Sequence, residues 1–373
     1  MKYRKLGRTG LNVSEIGLGT EYLNRKPRET VVSVIHKAIN KGINYFDVVF
    51  AFKEYRENLA AAFKGHRDKI IIAGHIGCAE TNGHYRLSRD VKENEKLFLD
   101  LLKRLQTDYV DIVMIQMVNE MVSYENVMKE GGVMDLALRF KKEGKARFIG
   151  VSGHKIPAIK STLESGKVDV VMFPINITWD CTPGRKEIYH LCAKNKTSLV
   201  AMKIFAGGRI FNQARTPITT TQCINYALSQ KGVCTVVPGP RNLKELNEIL
   251  AFLPASEKEK AFGSIIEDAQ EELKGNCVYC NHCQPCPQGI DIGSVISRLD
   301  RAQCGRPAKS IILNRSRLNF YFPGRIRLSR ENFKGLKAKA AKCTECDICM
   351  KRCPFEVDVI SKMKQAVKLF ENR

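Results

Sequence analysis

Eight times between Glu15 and Gly239 the chain repeats one pattern: a short apolar run, then a longer segment with apolar residues at helical spacing. The runs are EIGLG (15–19), INYF (43–46), IIIAG (70–74), DIVMI (111–115), FIGVS (148–152), VDVVMF (168–173), SLVAMK (198–203) and CTVVPG (234–239). Segments such as RETVVSVIHKAINKG and VKENEKLFLDLLKRLQ lie between them. A near-continuous apolar strand followed by an amphipathic helix is the unit of a parallel sheet covered on both faces. Eight such units is the number that closes into a (β/α)8, or TIM, barrel. The opening KYRKLGRTGLNVS reads as a short hairpin turning at Gly10.

In such barrels the chemistry sits where the strands end on their C-terminal side. Those ends are Asp47, His75, Gln116, Ser152, Asn176, Lys203 and the turn Pro238–Asn242. The turn precedes a helical segment, LKELNEILA, so its amides and Arg241 are placed to hold a phosphate.

The barrel pattern accounts for residues 1–255. Residues 256–276 read as a helical connector and residues 277–373 as a smaller, mostly helical domain built on two cysteine runs. CVYCNHCQPCP supplies Cys277, Cys280, Cys283 and Cys286; CTECDICMKRCP supplies Cys343, Cys346, Cys349 and Cys353. The second run has the C-x2-C-x2-C-x3-C-P form of a bacterial-type iron–sulfur site, and the first is one residue shorter before its last cysteine. In two-cluster ferredoxins the fourth cysteine of each run ligates the other cluster. Cys277, Cys280, Cys283 and Cys353 are therefore assigned to one 4Fe–4S centre, and Cys343, Cys346, Cys349 and Cys286 to a second. Zinc also uses C-x2-C pairs, but four ligands per ion leave the third cysteine and the Cys-Pro of each run unexplained. The 56 residues between Cys286 and Cys343 are too many for a compact ferredoxin hairpin and enclose a basic insert, 301–342.

That insert carries twelve Lys/Arg against one acid, Glu331, within a chain of formal charge +22. It is either a solvated basic face or a docking surface for an acidic partner, such as a ferredoxin, a flavodoxin or a larger redox complex. Nucleic acid is not favoured, because no recognition motif accompanies the charge and aromatic interleaving is confined to Phe320, Tyr321 and Phe322. The start of the chain lacks the apolar run of a signal peptide, and no stretch has the length of a membrane span. A soluble, cytoplasmic chain is expected, in which fourteen cysteines serve as metal ligands and buried thiols rather than disulfides. Six lie outside the two runs: Cys192, Cys223, Cys234 and Cys304 read as small buried hydrophobes, and Cys78 and Cys181 fall in loops where a catalytic thiol stays an open alternative.

LGRTGLNVSEIGLGT, INYFD, LKRLQTDYVDI, KKEGKARFIGVSGH, VMFPIN, AMKIFAGG and VVPGPRNLKEL together resemble the aldo-keto reductases, and more narrowly the branch with a C-terminal ferredoxin-like domain. The resemblance implies a TIM barrel binding NADP(H) across its mouth, with an Asp, Tyr, Lys and His tetrad for hydride transfer to carbonyls. Against that pattern only Asp47 survives: Phe52, His75 and Gln116 stand at the tyrosine, lysine and histidine positions. Phenylalanine has no proton to give a carbonyl oxygen. Tyr55 is a nearby phenol, and Asp47 with His75 forms either a substitute pair, the carboxylate orienting the imidazole as a proton donor, or a dead site. At the nucleotide site Ser152, Lys203, Gly207, Gly239 and Arg241 match the resemblance. Gly153, Met172 and the pair Glu248-Ile249 depart from it.

The favoured reading is an iron–sulfur oxidoreductase with altered chemistry, moving electrons between an acidic carrier and a nicotinamide, a flavin or a substrate at the barrel mouth. Its main alternative is a non-catalytic electron-carrier or adaptor subunit whose barrel is a scaffold. NADPH-dependent carbonyl reduction by the usual tetrad is not expected.

Overall fold

Eight parallel strands form one sheet in strict chain order: β1 Leu18–Gly19, β2 Tyr45–Val48, β3 Ile71–Ile76, β4 Val110–Ile115, β5 Ala146–Ser152, β6 Val170–Pro174, β7 Ser198–Met202 and β8 Val233–Val236. A parallel bridge between Ile16 and Val236 brings the first strand to the last. Gly17 N donates to Val236 O at 2.8 Å and Gly19 N to Pro238 O at 2.9 Å, so the sheet curls into a barrel. The principal crossover helices are α1 Arg28–Asn40, α2 Lys53–Phe63, α3 Val91–Leu105, α4 Val133–Lys142, α5 Ile156–Glu164, α6 Arg185–Lys194, α7 Thr220–Ser229 and α8 Leu243–Leu250. The structure, a computed structural model, describes residues 1–81, 84–180, 182–212, 217–263, 265–266, 274–277, 283–303, 329–353 and 355–371. It divides the chain into two units: Met1–Gly207 with Thr219–Phe262, and Gly208–Ile218 with Gly263–Arg373.

Side chains alternate across a strand with period two, and that alternation builds the barrel interior in layers. Tyr45, Ile71, Ala73, Ile112, Met114, Val170, Met172 and Val200 belong to one buried apolar cluster. Counting two residues on from Tyr45, Ala73 and Met114 gives Asp47, His75 and Gln116, side by side on three adjacent strands at the C-terminal rim. The opposite end is closed by the hairpin of Tyr3–Lys5 and Asn12–Ser14, which turns through Gly10 at φ 75°. Its Leu6 and Val13 are fully buried in the same cluster. Two aspartates pin the N-terminal ends of neighbouring strands. Asp111 accepts from Ile72 N at 3.0 Å and pairs with Arg67 and Arg147; Asp169 accepts from Ile149 N at 3.1 Å and pairs with Arg8 and Lys141.

One element has no counterpart in the sequence reading. Cys78–Thr81 and His84–Leu87 form an antiparallel hairpin after β3. Its signal was the Asn-Gly pair at 82–83, the dipeptide that suits a two-residue hairpin loop.

In the second unit the helix Ile292–Gln303 packs against Val359–Ala366, and Val295, Ile296, Leu299, Met363 and Ala366 of the two helices are buried. Lys362 pairs with Asp300 at 3.2 Å across that contact. Phe333 stacks on Phe370 with ring centroids 4.8 Å apart. Residues 304–328, which hold most of the basic insert, together with Cys181, Cys280 and Cys304, lie outside the described residues. Among the described residues no helix is long and apolar enough to cross a membrane.

Candidate functional site

At the barrel rim His75 Nε2 and Asp47 Oδ1 are 2.7 Å apart. Both side chains are buried, with residue exposures of 4% for His75 and 8% for Asp47. Gln116, 7% exposed, continues from β4 next to the end of β3, its N donating to Ile76 O at 2.9 Å. Among the described residues neither His75 Nδ1 nor Gln116 Oε1 has a hydrogen-bond partner. Ser152, on the next strand, is also buried, and its Oγ accepts from Met117 N at 3.1 Å.

Phe52 stands immediately before α2, half-buried, its ring 5.2 Å from that of Phe50. Phe50 also meets Tyr55 at 5.6 Å and Tyr85 of the extra hairpin at 5.7 Å, so an aromatic cluster covers this part of the rim. Tyr55 does not stand free in the site. Its hydroxyl hydrogen-bonds Thr20 Oγ1 and accepts from Val49 N, while Thr20 Oγ1 donates to Asp47 O at 2.6 Å. Burial raises the Tyr55 phenol far above its usual range, with the Thr20 and Val49 hydrogen bonds opposing. Cys78 donates its Sγ–H to Val49 O at 3.3 Å, and burial pushes its thiol up to about 11 against the pull of Arg56 and Arg89. At neutral pH that is a structural thiol, not a nucleophile.

Of the residues matched to a nucleotide site, Lys203 and Gly239 meet the turn Glu21–Leu23. Lys203 Nζ lies 3.3 Å from Glu21 Oε2. Burial works against its charge, but Glu21, Tyr22 and Asp47 outweigh it and hold the ammonium above its ordinary pKa. Lys203 O accepts from the buried Asn176 Nδ2 at 3.0 Å. Gly239 packs on the same turn: a Cβ there would come within 2.9 Å of the Tyr22 ring and 3.3 Å of Gly19 O. Gly207 has φ 69°, a left-handed backbone that favours glycine. Arg241 is gripped by Glu245, its Nε at 2.7 Å, its NH2 at 2.6 Å and its backbone N at 2.8 Å. Met172 is buried in the barrel core. Glu21 and Glu245 were not singled out from the sequence. Glu245 is a legible i,i+4 partner of Arg241, whereas Glu21 meets a lysine 182 residues away.

In the second unit Cys286, Cys343, Cys346 and Cys349 line one cavity, whose empty space, mouth included, is about 390 Å³. Pro287, Ile290, Ile292, Val359 and Met363 supply apolar walls. Burial raises the Cys349 thiol, and Cys343 and Cys346 add to the rise, as expected where several thiols share one space. One hydrogen bond joins the cysteine runs, Arg352 NH1 to Pro285 O at 2.9 Å, and a second, Gly275 N to Phe355 O at 2.7 Å, joins the residues flanking them. The segment entering the first run thus lies beside the segment leaving the second. Cys277, Cys283 and Cys353 are described and Cys280 is not. Among the described residues no three His, Cys, Asp or Glu side chains stand close enough to hold a single metal ion.

Residues 15–222, more than half of the chain, match the family model described as Aldo/keto reductase family. The aldo-keto reductase YhdN of Bacillus subtilis (strain 168) is 29% identical over 193 residues, 48% of this chain and 54% of that protein. The uncharacterized oxidoreductase YqkF of the same organism is 25% identical over 287 residues, 66% and 90% of the respective chains. The chain thus spans about half the length of YhdN and nine-tenths of YqkF. Among solved structures, the holo form of aldo-keto reductase AKR11C1 from Bacillus halodurans superposes with a TM-score of 0.60 at 21% identity, covering 72% of this chain and 96% of that one. That likeness is one of fold.

Proposed function

The chain belongs to the aldo/keto reductase family, and from that membership we propose that it is an iron–sulfur oxidoreductase whose barrel no longer performs tetrad-type carbonyl reduction. The observation that carries the proposal is the convergence of Cys286, from the first cysteine run, with Cys343, Cys346 and Cys349 of the second on one apolar-walled cavity. Thiolates so arranged suit a 4Fe–4S cluster, and the hydrogen bonds joining the two runs and their flanking residues support crossed ligation, with Cys277, Cys280, Cys283 and Cys353 as the second set. On this reading residues 277–373 are a ferredoxin-like domain appended to a barrel of residues 1–255. Clusters held there would supply one-electron transfer, and the basic insert 301–342 would dock an acidic carrier in the cytoplasm.

At the barrel Phe52, His75 and Gln116 replace the proton-donating machinery, which argues for a different task at the mouth. Lys203 and Arg241 are the residues that would hold the phosphates of NADP(H). Both are engaged by carboxylates, Glu21 and Glu245, so a nucleotide must displace an internal anion and binds weakly. The same observation favours the second reading, an electron-carrier subunit whose barrel is a scaffold.

Anaerobic purification with assays for iron, sulfide, zinc and flavin separates the cases, with visible absorbance followed during an NADPH titration. About eight irons per chain and bleaching by NADPH support the oxidoreductase. The same iron content with no bleaching, no flavin and no NADPH binding moves the conclusion to the carrier. Zinc in place of iron overturns both.

A further inference from the structure

The Asp47–His75 contact fixes more than a partnership. A carboxylate oxygen can only accept a hydrogen bond, so the His75 nitrogen facing it, Nε2, carries the proton. In the neutral imidazole the other nitrogen, Nδ1, then holds a lone pair. That atom is buried with no partner among the described residues, and so is Gln116 Oε1 one strand away. Two buried acceptors without partners are costly unless something donates to them. His75 sits between Asp47 and Gln116 on three adjacent strands, where the alternation of each strand turns these side chains inward. The sequence left two alternatives for this pair, a substitute proton donor or a dead site; in the structure Nε2 faces Asp47 and Nδ1 has no partner among the described residues.

We propose that the barrel mouth binds its ligand through a hydroxyl or ammonium group donated to His75 Nδ1 and Gln116 Oε1, rather than through a carbonyl oxygen. This rests on the reading that the mouth is the ligand-holding end of the molecule, but not on the clusters. A carbonyl oxygen would bring a third acceptor to the two already present.

The test is nitrogen NMR of the full-length protein carrying 15N-histidine, purified anaerobically. The chain has seven histidines, and His75→Asn, or His75→Gln if the first variant does not fold, identifies the His75 lines. The expected result is the Nε2–H tautomer for His75, with its Nδ1 line moving upfield when 2-propanol or 2-propylammonium is added and staying in place with acetone. The two donor probes distinguish an alcohol site from an amine site. An Nδ1–H tautomer, an equal response to acetone, or silence toward all three probes overturns the proposal. Gln116→Leu should weaken the responding probe by about threefold to tenfold while leaving the tautomer unchanged; unchanged affinity removes Gln116 from the site. Because the measurement reads the imidazole and not electron transfer, the iron assays can fail while this result stands, and the reverse.

Discussion

Tyr45 is fully buried within the barrel, yet its hydroxyl has no hydrogen-bond partner among the described residues. Burial raises the phenol's pKa well above its usual value, and Asp47 adds to the shift, so the group stays a neutral hydroxyl whose lost hydration no described residue replaces. An unsatisfied buried hydroxyl costs about 1–3 kcal/mol. Tyr45→Phe should therefore stabilise the barrel by about 1 kcal/mol, read as a higher urea midpoint at unchanged slope. A loss of similar size would mean that the hydroxyl has a partner after all. His154 carries a pH dependence of its own. Burial, then Lys203 and Arg185, depress its pKa from 6.5 to about 4. Between those values the unfolded chain binds a proton that the folded chain does not. Stability is thus complete above pH 6.5 and falls as the pH drops toward 4. His154 is only partly buried, so the loss is discounted to about 1–2 kcal/mol. Comparing urea midpoints at pH 7 and pH 4.5, His154→Gln should lose less stability than the parent chain; equal losses would assign the dependence to other groups.

At the scale of elements, the start of α8 is where structure and sequence part most usefully. Asn242 caps the helix by accepting from Glu245 N, and Glu245 in turn holds Arg241 through side chain and backbone. If Arg241 is a phosphate anchor, Glu245 is its built-in competitor. Glu245→Gln should then tighten NADPH binding by about threefold to tenfold in a fluorescence titration. No change would separate Arg241 from any nucleotide. The barrel strands were legible because a parallel strand covered on both faces must be apolar throughout: DIVMI and SLVAMK fall within a residue of β4 and β7. The hairpin at 78–87 was missed because its strands carry mixed side chains, although the Asn-Gly pair between them was a usable signal. Adjacent strands made Asp47 and His75 a plausible pair from sequence, but which imidazole nitrogen faces the carboxylate depends on a rotamer. The Lys203–Glu21 pair forms only when the barrel closes and brings β1 and β7 loops together, so no local pattern encodes it.

For the whole molecule the proposed iron–sulfur reading leaves two arrangements to separate: each cysteine run holding its own centre, or the two runs sharing both. The runs are 56 residues apart in sequence, yet Cys286 lines the same cavity as Cys343, Cys346 and Cys349. Crossed ligation would close that long loop twice, and metal binding would then contribute directly to folding of the second unit. The two arrangements predict different groupings of variants. With crossing, Cys286→Ser and Cys343→Ser damage the same centre: each should retain about four irons, and the two should share one residual electron paramagnetic resonance signal after reduction. Cys353→Ser should lose the other centre and leave a different signal. With separate centres, Cys286→Ser would instead match Cys283→Ser, and Cys353→Ser would match Cys343→Ser. Barrel circular dichroism provides the control, because the first unit has its own buried core. Its helical signal should persist in all four variants, so a loss of iron with the barrel intact assigns the effect to ligation rather than to global unfolding.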